Sequence, residues 1–340
     1  MQRRKTATLK DVSVEAGVSS NTASRALKGD RSVTIETTRR VRAAAERLGY
    51  ESSREQTGLL GLVTPKIAHP FYGELLEHFQ DYCAQQGYLL TFARTDGDDA
   101  REQKVIQDLD DARVEGLMLL SPTMSEATLA KILGDGRRPI VVMNATFKPR
   151  PGLLCIAVDN STGVRRAVEH LLSYGHGDRL AYLNGPGSSR SNLARQTACE
   201  TVLAEHHLSL YWESPPQSQP ADYESGYKAG NRMLQETGKS RPSAVLAYND
   251  LMALGCITAV VQAGLKVPQD ISIVGFDDLS FAPFTNPPLT TVSIPRWRMA
   301  TTAIRKLITL VEQGPLEEAV PEFIPSLIER KSTGPASKAA

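Results

Sequence analysis

Ser20, Asn21, Ser24 and Arg25 fall at the spacing that places them on one exposed face of a short helix. Each can address a polyanion. Arginine can chelate guanine O6 and N7, asparagine can chelate adenine, and serine can bond a phosphate or a base. A second set lies far along the chain. Asn144, Asn249-Asp250 and Asp277-Asp278 each follow a short apolar run, the place where ligands of open α/β sheets bind. Amides and carboxylates there suit the hydroxyls of a small polar metabolite, and an aromatic face suits its ring. Asn249-Asp250 can equally cap a helix, a role that fits Asp250 better than ligand contact.

Other chemistry finds little support. Gly185-Pro186-Gly187-Ser188-Ser189-Arg190 opens like a dinucleotide-binding G-x-G-x-x-G turn but ends in arginine and carries a proline. There is no G-x-x-x-x-G-K-S/T and no G-x-S-x-G. His206 and His207 are adjacent, so they cannot share one helix face as zinc ligands do. The four cysteines are far apart with no C-x-x-C pair and read as buried thiols in a reducing compartment. Neither an enzyme, a cofactor nor a metal is expected.

The elements that carry the first set are short helices. Thr8-Leu9-Lys10-Asp11 has the form of a capping box, which starts a helix at Leu9 with Leu9, Val12 and Ala16 inward. Gly17 ends it, Val18 fills the turn, and Ser19 caps a second helix over about 20–28 with Ala23 and Leu27 inward. Thr34 caps a third through Leu48, with Val41, Ala44 and Leu48 inward. Helix, glycine turn and helix make a helix-turn-helix, whose second helix enters the major groove. A three-helix cap with ordinary polar faces fits the pattern alone as well. Charge adds a direction. Residues 1–50 hold eleven Lys/Arg against five acids, a surplus of six, while the whole chain is only +1. A basic head on a slightly acidic body suits a polyanion partner.

From Leu59 onward, apolar runs at 60–64, 88–93, 116–120, 140–143, 154–158, 180–183, 244–247 and 271–274 alternate with helical stretches at 71–86, 100–112, 126–133, 163–174, 193–206, 225–236, 251–263 and 298–312. That alternation predicts α/β architecture, with parallel sheets covered by helices. No run approaches the ~18 apolar residues of a membrane span. The basic start, Met1-Gln2-Arg3-Arg4-Lys5, is followed by no apolar run, so a cytoplasmic location is expected.

The run from Thr8-Leu9-Lys10-Asp11-Val12 to Ala16-Gly17-Val18-Ser19-Ser20-Asn21-Thr22-Ala23-Ser24-Arg25-Ala26-Leu27 resembles the headpiece of the lactose-repressor family of bacterial transcription regulators. So does the segment from Val33-Thr34-Ile35-Glu36-Thr37-Thr38-Arg39 to Leu48-Gly49-Tyr50, except that relatives often carry a basic residue at Thr38. The likeness continues through Ile67-Ala68-His69-Pro70-Phe71-Tyr72, Val158-Asp159-Asn160, Asn249-Asp250-Leu251-Met252, Ile273-Val274-Gly275-Phe276-Asp277-Asp278, Pro288-Leu289-Thr290-Thr291-Val292 and Ile328-Glu329-Arg330-Lys331-Ser332-Thr333. It spans about 8–333.

The resemblance implies a helix-turn-helix headpiece at 1–50, a linker at 51–58, a sensor at 59–333 and a disordered tail at 334–340. The sensor would be two-lobed and similar to type I periplasmic sugar-binding proteins. Its N-lobe would hold about 59–157 and 288–318, its C-lobe about 158–287 and 319–333. It implies a homodimeric repressor that binds double-stranded operator DNA through Thr8, Ser19, Ser20, Asn21, Ser24, Arg25, Thr34, Thr37 and Tyr50. Its effector, a sugar or sugar derivative, would contact Phe71, Tyr72, Asn144, Arg195, Tyr223, Asn249 and Asp277. Phe71 could equally be core, and His69 and Asn144 replace a frequent Asn and Asp of relatives. A solute-binding protein without the DNA-binding role is the alternative, and a headpiece that binds RNA a remoter one. In relatives a Pro-Asn pair and a hinge helix follow the tyrosine, and a leucine of that helix wedges into the minor groove. Here Glu51–Gly58 spans at most ~29 Å extended and leads straight into Leu59, so no hinge wedge and little DNA bending are expected.

Overall fold

The computed structural model describes residues 8–27, 33–48, 57–133, 138–216, 221–314 and 322–336. Tyr50 and most of the linker lie outside the described residues. The chain divides into two compact units, up to Leu59 and from Leu60.

The first unit is three helices: α1 (Leu9–Glu15), α2 (Ser20–Leu27) and α3 (Ile35–Arg47). Thr8 and Asp11 form the reciprocal box: the Asp11 amide donates to Thr8 Oγ1 at 3.3 Å, and the Thr8 amide to Asp11 Oδ2 at 2.8 Å. Gly17 takes φ +62 between α1 and α2, a conformation open to a residue without Cβ. Ser19 Oγ accepts from the Thr22 amide at 3.0 Å, and Thr34 Oγ1 from the Thr37 amide at 3.2 Å. Val12, Ala16, Ala23, Ala26, Val41, Ala44 and Ala45 close the small core, with Leu9, Val18 and Leu27 packed against it. Leu48 departs from expectation. It lies beyond the end of α3 and is 37% exposed rather than inward. Such a small core leans on its caps, so Thr8→Ala is expected to lower headpiece stability by about 1 kcal/mol, read from headpiece amide exchange.

The second unit runs β1 (Leu59–Thr64), α4 (Pro70–Gln85), β2 (Leu89–Arg94), α5 (Asp99–Asp111), β3 (Gly116–Leu120), α6 (Glu126–Leu133), β4 (Ile140–Met143), β5 (Leu153–Ile156), α7 (Asn160–Ser173), β6 (Leu180–Leu183), α8 (Arg190–Glu205), β7 (Trp212–Glu213), α9 (Tyr223–Thr237), β8 (Ala244–Ala247), α10 (Asp250–Gln262), β9 (Ser272–Asp277), β10 (Thr290–Ser293), α11 (Arg296–Gln313) and β11 (Ser326–Ile328). The N-lobe sheet has the order β2-β1-β3-β4-β5, and β1, β3, β4 and β5 pair in parallel. The C-lobe sheet has the order β11-β10-β9-β8-β6-β7, parallel apart from the antiparallel pair β10–β11. Buried aliphatic strands such as Ile140–Met143 and Ala244–Ala247 fit sheets covered on both faces.

Two findings correct the expected boundaries and a third an expected helix cap. The segment from 288 was placed in the N-lobe, but Thr290–Ser293 pairs with Val274–Asp277 in the C-lobe sheet. The chain crosses at Ile294-Pro295, and α11 then packs on α4, β3 and β4 of the N-lobe. The tail was expected to be disordered from Gly334, yet the Gly334 carbonyl lies 2.8 Å from His176 Nε2, and the Ala336 amide donates to the Tyr174 carbonyl at 2.8 Å. Residues 334–336 are thus tied to the C-lobe, and 337–340 lie outside the described residues. Asp250 was expected to cap a helix, but the cap of α10 is Asn249, whose Oδ1 accepts from the Met252 amide at 2.9 Å. Asp250 is fully buried and accepts from the Leu279 amide at 2.8 Å and the Thr291 hydroxyl at 2.5 Å, tying α10 to the ends of β9 and β10.

The two helices behind this region meet backbone to backbone. A Cβ on Gly255 of α10 would lie 2.1 Å from the Tyr223 carbonyl oxygen, and one on Gly226 of α9 would lie 2.2 Å from that of Met252. Only glycine permits this approach, and it fixes the position from which α10 presents Asn249 and Asp250.

Candidate functional site

A cavity of about 100 Å³ opens at the carboxyl ends of the strands, between the lobes of the second unit. Its C-lobe floor is built on α8 and β9. Asp277 ends β9 at φ +119 and is buried, with Arg296 donating to its carbonyl and to that of Asp278. Arg195, also buried, holds its guanidinium over the Phe276 ring, 3.5 Å from its centroid. Its Nε donates to Asn160 Oδ1 at 2.9 Å and its Nη1 to the Tyr248 carbonyl at 2.6 Å. The remaining nitrogen stands 3.8 Å from Asp277 Oδ1, an ion pair without a hydrogen bond. Burial pushes the Asp277 carboxyl up to about 6, even though Arg195 and Arg296 pull it down.

The N-lobe wall comes from three loops. His69 caps α4, its Nδ1 accepting from the Phe71 amide at 3.3 Å, and Phe71 and Tyr72 follow. Phe71 does both things foreseen for it, lining the cavity and packing into the core. Glu102 of α5 accepts from the Thr123 and Met124 amides at 3.1 and 2.9 Å and fixes the loop after β3. Asn144 follows β4 at φ +60, and its Nδ2 donates to Ser121 Oγ at 3.3 Å.

His69 also ties the lobes together. Its Nε2 lies 3.3 Å from Nδ2 of Asn249 in the C-lobe, and that amide nitrogen also donates to the Ala221 carbonyl at 2.8 Å. Burial lowers the His69 pKa to about 4, so the ring is neutral at physiological pH. The Asn249 amide is therefore already engaged, by the α10 cap on one side and Ala221 on the other.

Of the residues expected to meet an effector, Phe71, Tyr72, Asn144, Arg195, Asn249 and Asp277 line this one cavity. Tyr223 does not. Asp222 caps α9, so Tyr223 is its first residue, and its hydroxyl donates to Thr258 on α10 at 2.8 Å. His69, noted as a departure from relatives, lines the cavity too, as do Lys66, Ser121, Ser188, Arg190, Ser191 and Tyr248, which the sequence does not mark as effector contacts. The strand-end rule that marked Asn144 and Asp277 applies equally to Ser121 after β3 and to 185–191 after β6. The glycines of 185–191 resemble a dinucleotide turn and mask its place at a strand end.

In the first unit Asn21 and Arg25 are exposed on α2, and Ser24 is half-buried. Ser20 Oγ lies 3.1 Å from Ser13 Oγ. Thr8, Ser19, Thr34 and Thr37 stand at helix starts with their hydroxyls in caps, positions where amide-rich helix N-termini meet phosphate in protein–DNA complexes. Among the described residues no group of three His, Cys, Asp or Glu could hold a metal ion, and no helix is long and apolar enough to cross a membrane.

Residues 8–53 match the family described as bacterial regulatory proteins, lacI family, and residues 168–333 match the periplasmic binding protein-like domain. The chain is 31% identical over 337 residues to the HTH-type transcriptional repressor PurR of Aliivibrio fischeri strain MJ11, covering 96% of this chain and 98% of that protein. It is 32% identical over 334 residues to the ribose operon repressor of Escherichia coli K12, covering 96% and 99%. Among solved structures it is similar to the lac repressor dimer bound to operator and the anti-inducer ONPF, with a TM-score of 0.73 and 26% identity over 97% of this chain and all of that one. With helix-turn-helix unit, two-lobed sensor and near full-length likeness all present, the chain belongs to the lacI family of bacterial regulatory proteins.

Proposed function

We propose that this regulator is a cytoplasmic homodimeric repressor whose hold on operator DNA is set by a small polar metabolite, a sugar or sugar derivative, bound between the lobes. The similar proteins are transcriptional repressors, not enzymes. The observation that carries the reading is the Asp277–Arg195 pair facing the cavity, in a chain that also presents Asn21 and Arg25 on an exposed helix face. Asp277 accepts ligand hydroxyls, and Tyr72 and Phe71 cover the ring. A gel shift with duplex operator DNA, with and without a ligand found by thermal shift, tests it. A ligand that stabilises the fold should change the retarded fraction. A chain that retards no duplex would instead be a solute-binding protein.

Asn21→Ala and Arg25→Ala are each expected to weaken operator binding by about 1–3 kcal/mol and to relax specificity at single positions. Equal losses on operator and random DNA would mark them as phosphate contacts. Leu59 opens β1, which agrees with a regulator lacking the minor-groove wedge. Circular permutation of a bound operator should reveal little bending, against the ~20–90° of groove-wedging proteins.

The pH dependence has a definite sign. A ligand hydroxyl donates to ionised Asp277, so effector affinity should fall as pH drops through about 6, to about a tenth at pH 5 of its value at pH 7.5. In the ligand-free protein the sign reverses. A carboxyl raised in the folded state lowers stability at neutral pH, and that penalty is relieved as pH falls through 6 toward the ordinary carboxylate range. Calorimetry at the two pH values reads the first effect, urea unfolding the second.

A further inference from the structure

The charges lining the cavity are unbalanced. Lys66, Arg190 and Arg195 face it, against the single carboxylate of Asp277. Two of the cations are accounted for: Arg195 by Asp277, Asn160 and Tyr248, and Lys66 by Asp222 at 3.9 Å. Arg190 differs. It reaches from the start of α8 to the N-lobe, where its Nη2 donates to the Met124 carbonyl at 3.3 Å and its guanidinium lies 4.7 Å from the Phe147 ring centroid. No carboxylate among the described residues lies within 4.0 Å of it. The Met124 bond is longer than the usual N–H···O range, and four of the five guanidinium N–H groups remain for a ligand.

The neighbours of Arg190 share its polarity. Ser191 offers a hydroxyl with no hydrogen-bond partner among the described residues. Asn144 presents an amide whose Nδ2 keeps a second N–H beyond the one given to Ser121. Arg190, Ser191 and Asn144 thus offer donors to the cavity, and Asp277 offers its carboxylate acceptor. A neutral polyol, each hydroxyl both donor and acceptor, satisfies Asp277 but leaves Arg190 without a negative charge to meet. An oxyanion satisfies it, because a guanidinium binds a carboxylate or phosphate through paired N–H groups.

We infer that the effector is an acidic sugar derivative, with its hydroxyls on Asp277 and Arg195 and a carboxylate or phosphate on Arg190, Ser191 and Asn144. This rests on the effector cleft proposed above and narrows its ligand class. The experiment is calorimetry on the full chain with matched sets of probes. Each set holds a neutral sugar, its aldonic acid and its terminal phosphate, over glucose, galactose, mannose and ribose. In at least one set an anionic member should bind about tenfold or more tighter than the neutral one, about 1.4 kcal/mol, and the preference should weaken with salt. Which arm wins separates carboxylate from phosphate. In Arg190→Gln, a surface change whose folding is checked by its melting curve, the preference should fall below about threefold, and Arg190→Lys should keep part of it. A neutral member that binds tightest in every set, or a preference unchanged in Arg190→Gln, overturns the inference. If that neutral binding is lost in Asp277→Asn, the cleft reading stands and only the acidic class falls. If no member binds and none alters the operator gel shift, both fall.

Discussion

Arg195→Ala should cost the protein about 3–5 kcal/mol of stability and remove its effector response, because it strips the partner from a buried charge. Asp277 would be left buried with Arg296 touching only its backbone, and the Tyr248 carbonyl and Asn160 Oδ1 would lose their donors. The Phe276 face, now covered by the guanidinium, would open to a void. Separating the roles needs a second variant. Arg195→Met combined with Asp277→Asn keeps volume and removes both charges, so it should recover much of the stability, as replaced buried ion pairs often do. It should not recover effector binding. Urea unfolding and calorimetry on the two variants give the answer, and a loss under about 1 kcal/mol for Arg195→Ala would contradict the account.

Gly255→Ala is expected to be as damaging without touching the ligand. The added methyl meets backbone, the Tyr223 carbonyl and the Tyr227 amide, rather than a side chain that could rotate away. Helices α9 and α10 must separate, a change of the overpacking kind that costs about 1–3 kcal/mol and sometimes more, and the value here belongs at the upper end. Because α10 begins at the cleft, its displacement should carry Asn249 and Asp250 with it and weaken the effector as well. Gly73→Ala in α4 is the comparison. A Cβ there meets only the Ile67 carbonyl at 3.7 Å, so that helix should be unchanged or gain up to about 1 kcal/mol. Similar chemical-denaturation midpoints for the two alanine variants would rule out the close crossing of α9 and α10.

Helix order was legible because apolar spacing and capping residues agree along the chain. The starts of α7 and α8 were read at 163 and 193, where the apolar pattern begins, yet Asp159 and Ser189 cap the helices and begin them three residues earlier. Strands β10 and β11 were invisible for a different reason. Thr290-Thr291-Val292-Ser293 holds one aliphatic residue, and its hydroxyls are buried against Asp250 and Thr333, so a core strand looks like a polar loop. The misplaced lobe boundary follows directly from that.

In the site, Arg195, Asn249 and Asp277 could be picked out because they are polar residues at strand ends or match family positions. Nothing in the spacing distinguished Tyr223, whose direction is decided by the Asp222 cap. Arg190 carries no such mark, because its meaning depends on Met124 and Phe147, distant in sequence and brought to it only by folding.

Among the described residues the backbone passes between the lobes after Ile156 and at Ile294-Pro295, and α11 on the N-lobe is followed by β11 in the C-lobe sheet. That discontinuity has a consequence during synthesis. The N-lobe sheet is complete once Ile156 has been made, but α11, which lies against β3, β4 and α4, ends only at Gln313. At about 5–20 residues per second, the nascent N-lobe waits roughly 8–30 s for its last helix. Throughout that interval Gly116 of β3, covered in the finished protein by Leu307 and Val311, lacks its cover. A ribosome stalled within the C-lobe would therefore hold out a sheet whose α4-bearing face still lacks α11, leaving apolar surface of the kind that chaperones engage.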